Sequence, residues 1–178
     1  MEVIETGFSE LLLLCPKIFK DSRGYFFESY NERAFKQLGL DYNFVQDNES
    51  QSTYGTLRGL HFQKGNSAQA KLVRAIKGEV LDVAVDLRRD SPTFGKYYSA
   101  ILSEENKNML LIPRGFAHGF VVLSQSAVFA YKCDNFYSPS NEGGIHYADP
   151  DLAIDWRVPQ DKIVLSEKDR KNPAFKSL

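Results

Sequence analysis

In Ile112-Pro113-Arg114-Gly115-Phe116-Ala117-His118-Gly119-Phe120, an apolar strand runs into a Pro-x-Gly turn, and a histidine follows three residues on. Proline presets φ and glycine accepts a positive φ, the chemistry of a tight reversal. Upstream, Leu57-Arg58-Gly59-Leu60-His61-Phe62-Gln63 has the same character, one histidine in a glycine-bordered strand. The chain holds three histidines, and two of them lie in these segments, each close to an arginine. Histidine takes up and releases a proton near neutrality. Two of them on strands beside arginine point to a pocket that handles protons and anions.

Strand signals spread outward from these segments. In Leu81-Asp82-Val83-Ala84-Val85-Asp86-Leu87, residues 81, 83, 85 and 87 are apolar, and Asp82, Ala84 and Asp86 face the other way. Lys77-Gly78-Glu79 reads as the turn joining it to Leu72–Ile76. Further strands are predicted at Leu11–Cys15, Tyr97–Leu102, Met109–Ile112, Gly119–Leu123 and Val128–Cys133. Helix signals are confined to the ends. Asn31–Gly39 offers an Asn cap, an apolar stripe and a Gly stop, and Ser166–Pro173 reads as a short capped helix ended by proline. Many short strands with turn residues between them predict a mainly β sandwich or barrel. One domain over residues 1–178 is expected, with the barrel at about 50–135. Strands and a helix fill 1–49, and a C-terminal segment covers 136–178.

The composition narrows the function. With 178 residues, 43% hydrophobic, 25% charged and a net charge of −1, the chain is ordinary for a globular protein and lacks the basic excess of a nucleic-acid binder. Cys15 and Cys133 have no metal or redox spacing, and two thiols fit a reducing cytoplasm. Leu11-Leu12-Leu13-Leu14-Cys15 is too short to span a bilayer and follows Glu2 and Glu5 rather than a basic stretch, so neither a membrane segment nor a signal peptide is expected.

Taken singly, His61 reads as a buried histidine satisfied by a carbonyl, and His118 as a surface histidine beside a turn. The spacing Pro-x-Gly-x-x-His, after an apolar strand, resembles the second motif of the cupins, small jelly-roll β-barrels with a ligand pocket. Metal-binding cupins carry His-x-His in the first motif, where this chain has His61-Phe62-Gln63. Two histidines without a third ligand at the right spacing make a poor metal site, so a pocket without metal is expected.

The resemblance then becomes closer than fold level. Asp21-x-Arg23-Gly24-x-Phe26-x-Glu28-Ser29-Tyr30, Phe44-Val45-Gln46-Asp47-Asn48, Leu57–Gln63 and Gln69-x-Lys71-Leu72-Val73-Arg74 resemble signatures of the dTDP-4-dehydrorhamnose 3,5-epimerases of deoxysugar-nucleotide biosynthesis. So do Asp82–Arg88, Ser91-Pro92-Thr93-Phe94-Gly95, Ile112–Phe120, Tyr131-Lys132, Tyr137-Ser138-Pro139 and Glu142. The match runs in order from about Phe19 to Asp169.

A 4-keto sugar has acidic hydrogens at C3 and C5. Inverting either carbon needs a base on one face, an acid on the other and something to hold the enolate oxygen. No redox cofactor is required. The resemblance implies His61 as the base, Asp169 as its carboxylate partner, Tyr131 as the acid and Lys71 as the electrophile near the C4 oxygen. It implies Arg23, Arg58 and Lys168 on the diphosphate and Gln46, Asp47, Asn48 and Glu28 on base and sugar. Tyr137 would stack on thymine and His118 would lie by the sugar, with Phe26, Gln63 and Glu142 completing the binding set. It also implies a homodimer with exchanged strands, Arg23, Glu28 and Gln46–Asn48 reaching a neighbour's site. Asp169 has a second reading: in Ser166-x-x-Asp169 it occupies the third position of a capping box. Three other functions stay open on sequence. They are inversion of a single carbon, movement of the keto group by a ketoisomerase, and a sugar-nucleotide binding module that performs no chemistry.

Overall fold

A computed structural model describes residues Met1–Leu178. The chain forms thirteen strands in the order β1 (Glu2–Glu5), β2 (Leu12–Cys15), β3 (Phe19–Asp21), β4 (Gly24–Phe26), β5 (Gln46–Thr53), β6 (Leu57–Gln63), β7 (Lys71–Lys77), β8 (Glu79–Asp86), β9 (Tyr97–Ser103), β10 (Met109–Ile112), β11 (Phe116–Val122), β12 (Ser126–Cys133) and β13 (Glu142–Gly144). Helix α1 (Glu32–Gln37) lies between β4 and β5, and α2 (Glu167–Arg170) lies near the C-terminus. Two antiparallel sheets, in the orders β1-β2-β10-β7-β12-β5 and β13-β6-β11-β8-β9, face each other, and β3–β4 forms a separate hairpin. The strand pattern predicted a mainly β sandwich or barrel and the cupin resemblance a jelly roll, and the mainly β arrangement of two facing sheets agrees with both. The sheets pack without merging into one hydrogen-bonded ring.

The core has three layers because both sheets are covered on the outside as well. Between them pack Val73 and Ala75 of β7, Phe129 of β12, and Val80, Ala84, Phe116 and Phe120 of β8 and β11. The outer face of the second sheet, with Leu81, Val83 and Val85, is covered by Ile145, Leu152 and Trp156 of the C-terminal segment. The outer face of the first sheet packs Leu14, Leu72, Met109 and Leu111 against Phe35 of α1. Burial of this kind stabilises by about 25 cal/mol per Å² of apolar surface removed from water.

The alternation expected over Leu81–Leu87 holds, and the layering decides which face points inward. The apolar face turns outward under the C-terminal cover, and Asp82, Ala84 and Asp86 turn inward, so every residue from Val80 to Asp86 is buried. Differences from the expected elements are local. β5 starts at Gln46, before the expected barrel edge. β11 starts at Phe116, directly after the turn, so His118 sits inside a buried strand rather than at the surface. A 3-10 turn at Gly65–Ser67 adds helical backbone outside the two ends, and the helix expected over Ser166–Pro173 spans only Glu167–Arg170. Asn31 caps α1 as predicted, its side chain accepting from the Ala34 N–H at 3.2 Å. No helix is long and apolar enough to cross a membrane.

Candidate active site

A cavity of about 570 Å³ opens between the sheets. The first sheet contributes Asn48 of β5, Lys71 of β7 and Tyr131 of β12. The second contributes Arg58 and His61 of β6 and His118 and Phe120 of β11, and the segment Val164–Ser166 with Lys168 and Asp169 closes one side. The volume lies in the range of small-molecule sites.

Simple alternation would put His61 on the face of Leu57, and the structure overturns that. β11 advances two residues, His118 to Phe120, while β6 advances three, His61 to Arg58. The extra residue is a β-bulge, which shifts the phase of the strand. Leu57 and Leu60 therefore both pack under the C-terminal cover, and Arg58 and His61 both line the cavity. Glycine makes the bulge possible: Gly59 has φ +138°, and a Cβ there would lie 2.6 Å from the Gly119 Cα. On β7 and β12 no bulge intervenes at these positions. Lys71 shares the inner face with Val73 and Ala75, and Tyr131 shares it with Phe129, as alternation requires.

His61 Nε2 lies 2.5 Å from Asp169 Oδ1, across 108 residues of sequence. Of the capping box at Asp169 only the half made by Ser166 forms, because the carboxylate that would complete it faces His61 instead. The Asp169 backbone N–H donates to Ser166 Oγ at 3.1 Å as a helix cap. Burial alone would raise the Asp169 carboxyl, but hydrogen bonds from His61, the Gly59 N–H and Ser166, with the imidazole charge, hold it below the usual carboxylate range. His118 Nε2 pairs in the same manner with Asp82 Oδ2 at 2.9 Å, and burial pulls this imidazole below its ordinary range.

Lys71 Nζ stands 5.7 Å from the centre of the Tyr131 ring. Burial lowers the Lys71 ammonium and raises the Tyr131 phenol, so at neutral pH the phenol keeps its proton. At the rim, Lys168 Nζ meets Glu142 Oε1 at 2.5 Å, and Tyr137 Oη donates to Glu142 Oε2 at 2.8 Å. The Ser138 N–H donates to Gln63 Oε1, and the Tyr137 N–H to Gln46 Oε1, which ties the Tyr137 loop to the same rim. Arg58 Nε donates to Ser52 Oγ at 3.1 Å.

Not every expected residue joins the cavity. Alternation along β5 sets Gln46 and Asn48 together, 3.1 Å apart, and turns Asp47 outward onto Lys132 at 2.9 Å. Arg23 and Phe26 lie on the exposed β3–β4 hairpin, outside the cavity lining. Arg23 pairs there with Asp21 at 2.6 Å, and Glu28 accepts from Asn31. The sequence reading assigned no role to Asp82. The available signal was a carboxylate in the middle of a strand otherwise fit for complete burial.

The model of the dTDP-4-dehydrorhamnose 3,5-epimerase family matches residues 5–177. The chain belongs to this family. The epimerase of Salmonella typhimurium is 53% identical over 176 residues, spanning 98% of this chain and 96% of that protein. The epimerase of Pseudomonas aeruginosa is 54% identical with the same coverage. A crystal structure of the dTDP-4-dehydrorhamnose 3,5-epimerase from Elizabethkingia anophelis NUHP1 superposes with a TM-score of 0.95 at 56% identity, covering 99% of this chain and 97% of that one. This epimerase is therefore an isomerase of nucleotide-linked sugars, on a jelly roll shared with its solved relatives.

Proposed function

We propose that the cavity inverts C3 and C5 of dTDP-4-dehydro-6-deoxy-D-glucose, giving dTDP-4-dehydro-L-rhamnose, with His61 as base and Tyr131 as acid. The observation that carries this reading is the His61–Asp169 pair opening onto the same cavity as Lys71 and Tyr131. A relative from Legionella pneumophila, 49% identical, has been solved in complex with dTDP-4-keto-L-rhamnose.

With Nε2 held by Asp169, His61 uses Nδ1, which makes no hydrogen bond within the protein, to take the proton alpha to the ketone. Asp169 fixes the tautomer and balances the imidazolium that forms. The electron pair moves to the C4 oxygen as an enolate. Lys71 has no salt-bridged carboxylate and is held below its usual pKa by burial, so a negative charge on that oxygen supplies the partner it lacks. Tyr131, protonated at neutral pH, returns a proton from the opposite face. Arg58 and Lys168 hold the diphosphate through charge-assisted hydrogen bonds, and Tyr137 stacks on thymine at the rim. Once His61 has released its proton to solvent and Tyr131 has taken one back, the same cycle at the second carbon completes the inversion.

Arg23, Phe26 and Glu28 enter this reading through a second copy of the chain. Phe19, Tyr25 and Phe26 on the β3–β4 hairpin are all more than half exposed, which supports an exchange of hairpins in a homodimer. The free thiols Cys15 and Cys133 accord with a cytoplasmic enzyme. Incubating the enzyme with dTDP-4-dehydro-6-deoxy-D-glucose in deuterated water tests the proposal. Label and inversion at both C3 and C5 are expected. Label at one carbon identifies a mono-epimerase, and none identifies a binding module.

A further inference from the structure

Asp169 can serve His61 only if a four-residue helix is held still, and such a helix cannot hold itself, because nucleation exceeds what one turn of hydrogen bonds returns. Ser166 caps its N-terminal end. At the other end, Asn172 is half-buried, and its Nδ2 is shut away from solvent with no partner, although a buried donor without an acceptor costs free energy that a smaller or apolar residue would avoid. Its place is explained by shape. A Cβ built on Gly144 would stand 2.3 Å from Asn172 Oδ1, 2.5 Å from its Cγ and 2.8 Å from Nδ2, so the amide lies broadside on the bare glycine backbone.

Gly144 is the residue of β13 directly opposite His61 of β6. The next pair along, Ile145 and Leu60, exchanges both backbone hydrogen bonds, and the His146 N–H donates to the Pro173 carbonyl at 2.8 Å. The backbone behind α2 is thus stitched to the strand beside His61. A second tether, Lys168 to Glu142, leaves its lysine more than half exposed, where salt screens it. The Asn172 contact depends on shape instead, with its Nδ2 shut away from solvent.

We propose that Asn172, seated on Gly144, is a positioning residue that sets the distance and angle between Asp169 and His61. This rests on the reading of His61 as the base. A displacement of about 1 Å in a catalytic group costs up to roughly 10²-fold in rate. Asn172→Ala is therefore expected to lower kcat by roughly 10- to 100-fold and leave the KM for the dTDP-sugar unchanged. Gly144→Ala should do the same by pushing the amide off its seat. The double variant should be no worse than Asn172→Ala, because both changes remove one contact.

The deciding readout is the proton NMR resonance of the His61–Asp169 hydrogen bond in the unliganded protein. Loss or displacement of that signal in Asn172→Ala, in a chain whose melting temperature and dTDP affinity are preserved, is the expected result. An unmoved signal overturns the proposal, whether kcat falls or not, and so does additive loss in the double variant. If Asn172→Ala fails to fold, Asn172→Ser, which keeps a small polar group, carries the same measurement. Should His61→Asn leave turnover intact, the base assignment fails, while the NMR signal still reports on the seat.

Discussion

The cavity holds two histidine–carboxylate pairs that differ in how they are built. His61 and Asp169 come from a strand and a distant helix, and the imidazole is 29% exposed to the cavity. His118 and Asp82 sit on the adjacent strands β11 and β8, with side chains 7% and 0% exposed. An imidazole that must gain a proton during turnover needs access to the substrate and a partner that stabilises the cation. His61 has both. His118 is walled in, and burial disfavours its charged form. The same two residue types thus stand in two different settings, separated by exposure and by which element brings the carboxylate.

Substitution at His61 should break this comparison most severely. His61→Asn is expected to lower kcat by on the order of 10² to 10⁴, with dTDP affinity measured by calorimetry little changed. Reduced affinity with unchanged turnover at saturation would make His61 a ligand contact. Tyr131→Phe keeps the ring and its packing and deletes only the proton donor. It should still exchange substrate hydrogen with deuterated solvent while inversion falls by roughly 10²-fold or more, and NMR separates the two. Epimerisation at the wild-type rate would place the acid elsewhere.

Asp82→Asn sharpens the contrast. The amide preserves shape and removes the charge behind His118, so the expected effect is a rise of roughly tenfold in KM, the worth of one charged hydrogen bond, with a smaller change in kcat. A collapse of kcat with KM unchanged would put the second pair in the proton relay.

The smallest effect on activity is expected at Asp86, which shares the inner face of β8 with Asp82. It accepts hydrogen bonds from Arg88, Ser91 and Thr93, and although burial opposes its charge, these partners lower its carboxyl from 3.8 to about 2. A folded-state pKa below the unfolded one adds stability above the unfolded value and loses it as pH falls through the folded value. Asp86→Asn should therefore cost about 2 kcal/mol at neutral pH and leave the kcat of the folded enzyme unchanged. Denaturant titrations should show the gap constant above about pH 4 and closing toward pH 2.

Much of the fold was legible because strand alternation is a local property of the backbone. β7, β9, β10 and β12 fall within two residues of their expected bounds, and the side shared by Lys71, Val73 and Ala75 followed from counting. The residues of the proposed chemistry were also legible as an inventory, since His61, Lys71 and Tyr131 stand inside motifs that resemble one family. Alternation failed at Gly59, where a bulge needs a facing strand to define it; at β8 it held, but only the packed sheets show that the polar face is the inner one. Nothing local to Asp82 says that it stands behind a histidine 36 residues on.

By itself the sequence determined the strand periods, the turn at Pro113-x-Gly115, the helix cap at Asn31 and the supply of titratable groups, all fixed by interactions within a few residues. Only the tertiary structure decided that Asp169 meets His61, that Asp47 turns away from the cavity while Asn48 lines it, and that Arg23 stands apart on its hairpin. Those outcomes depend on sheet order, register and the outer layer laid over the second sheet. A contact spanning 108 residues exists only after those are in place.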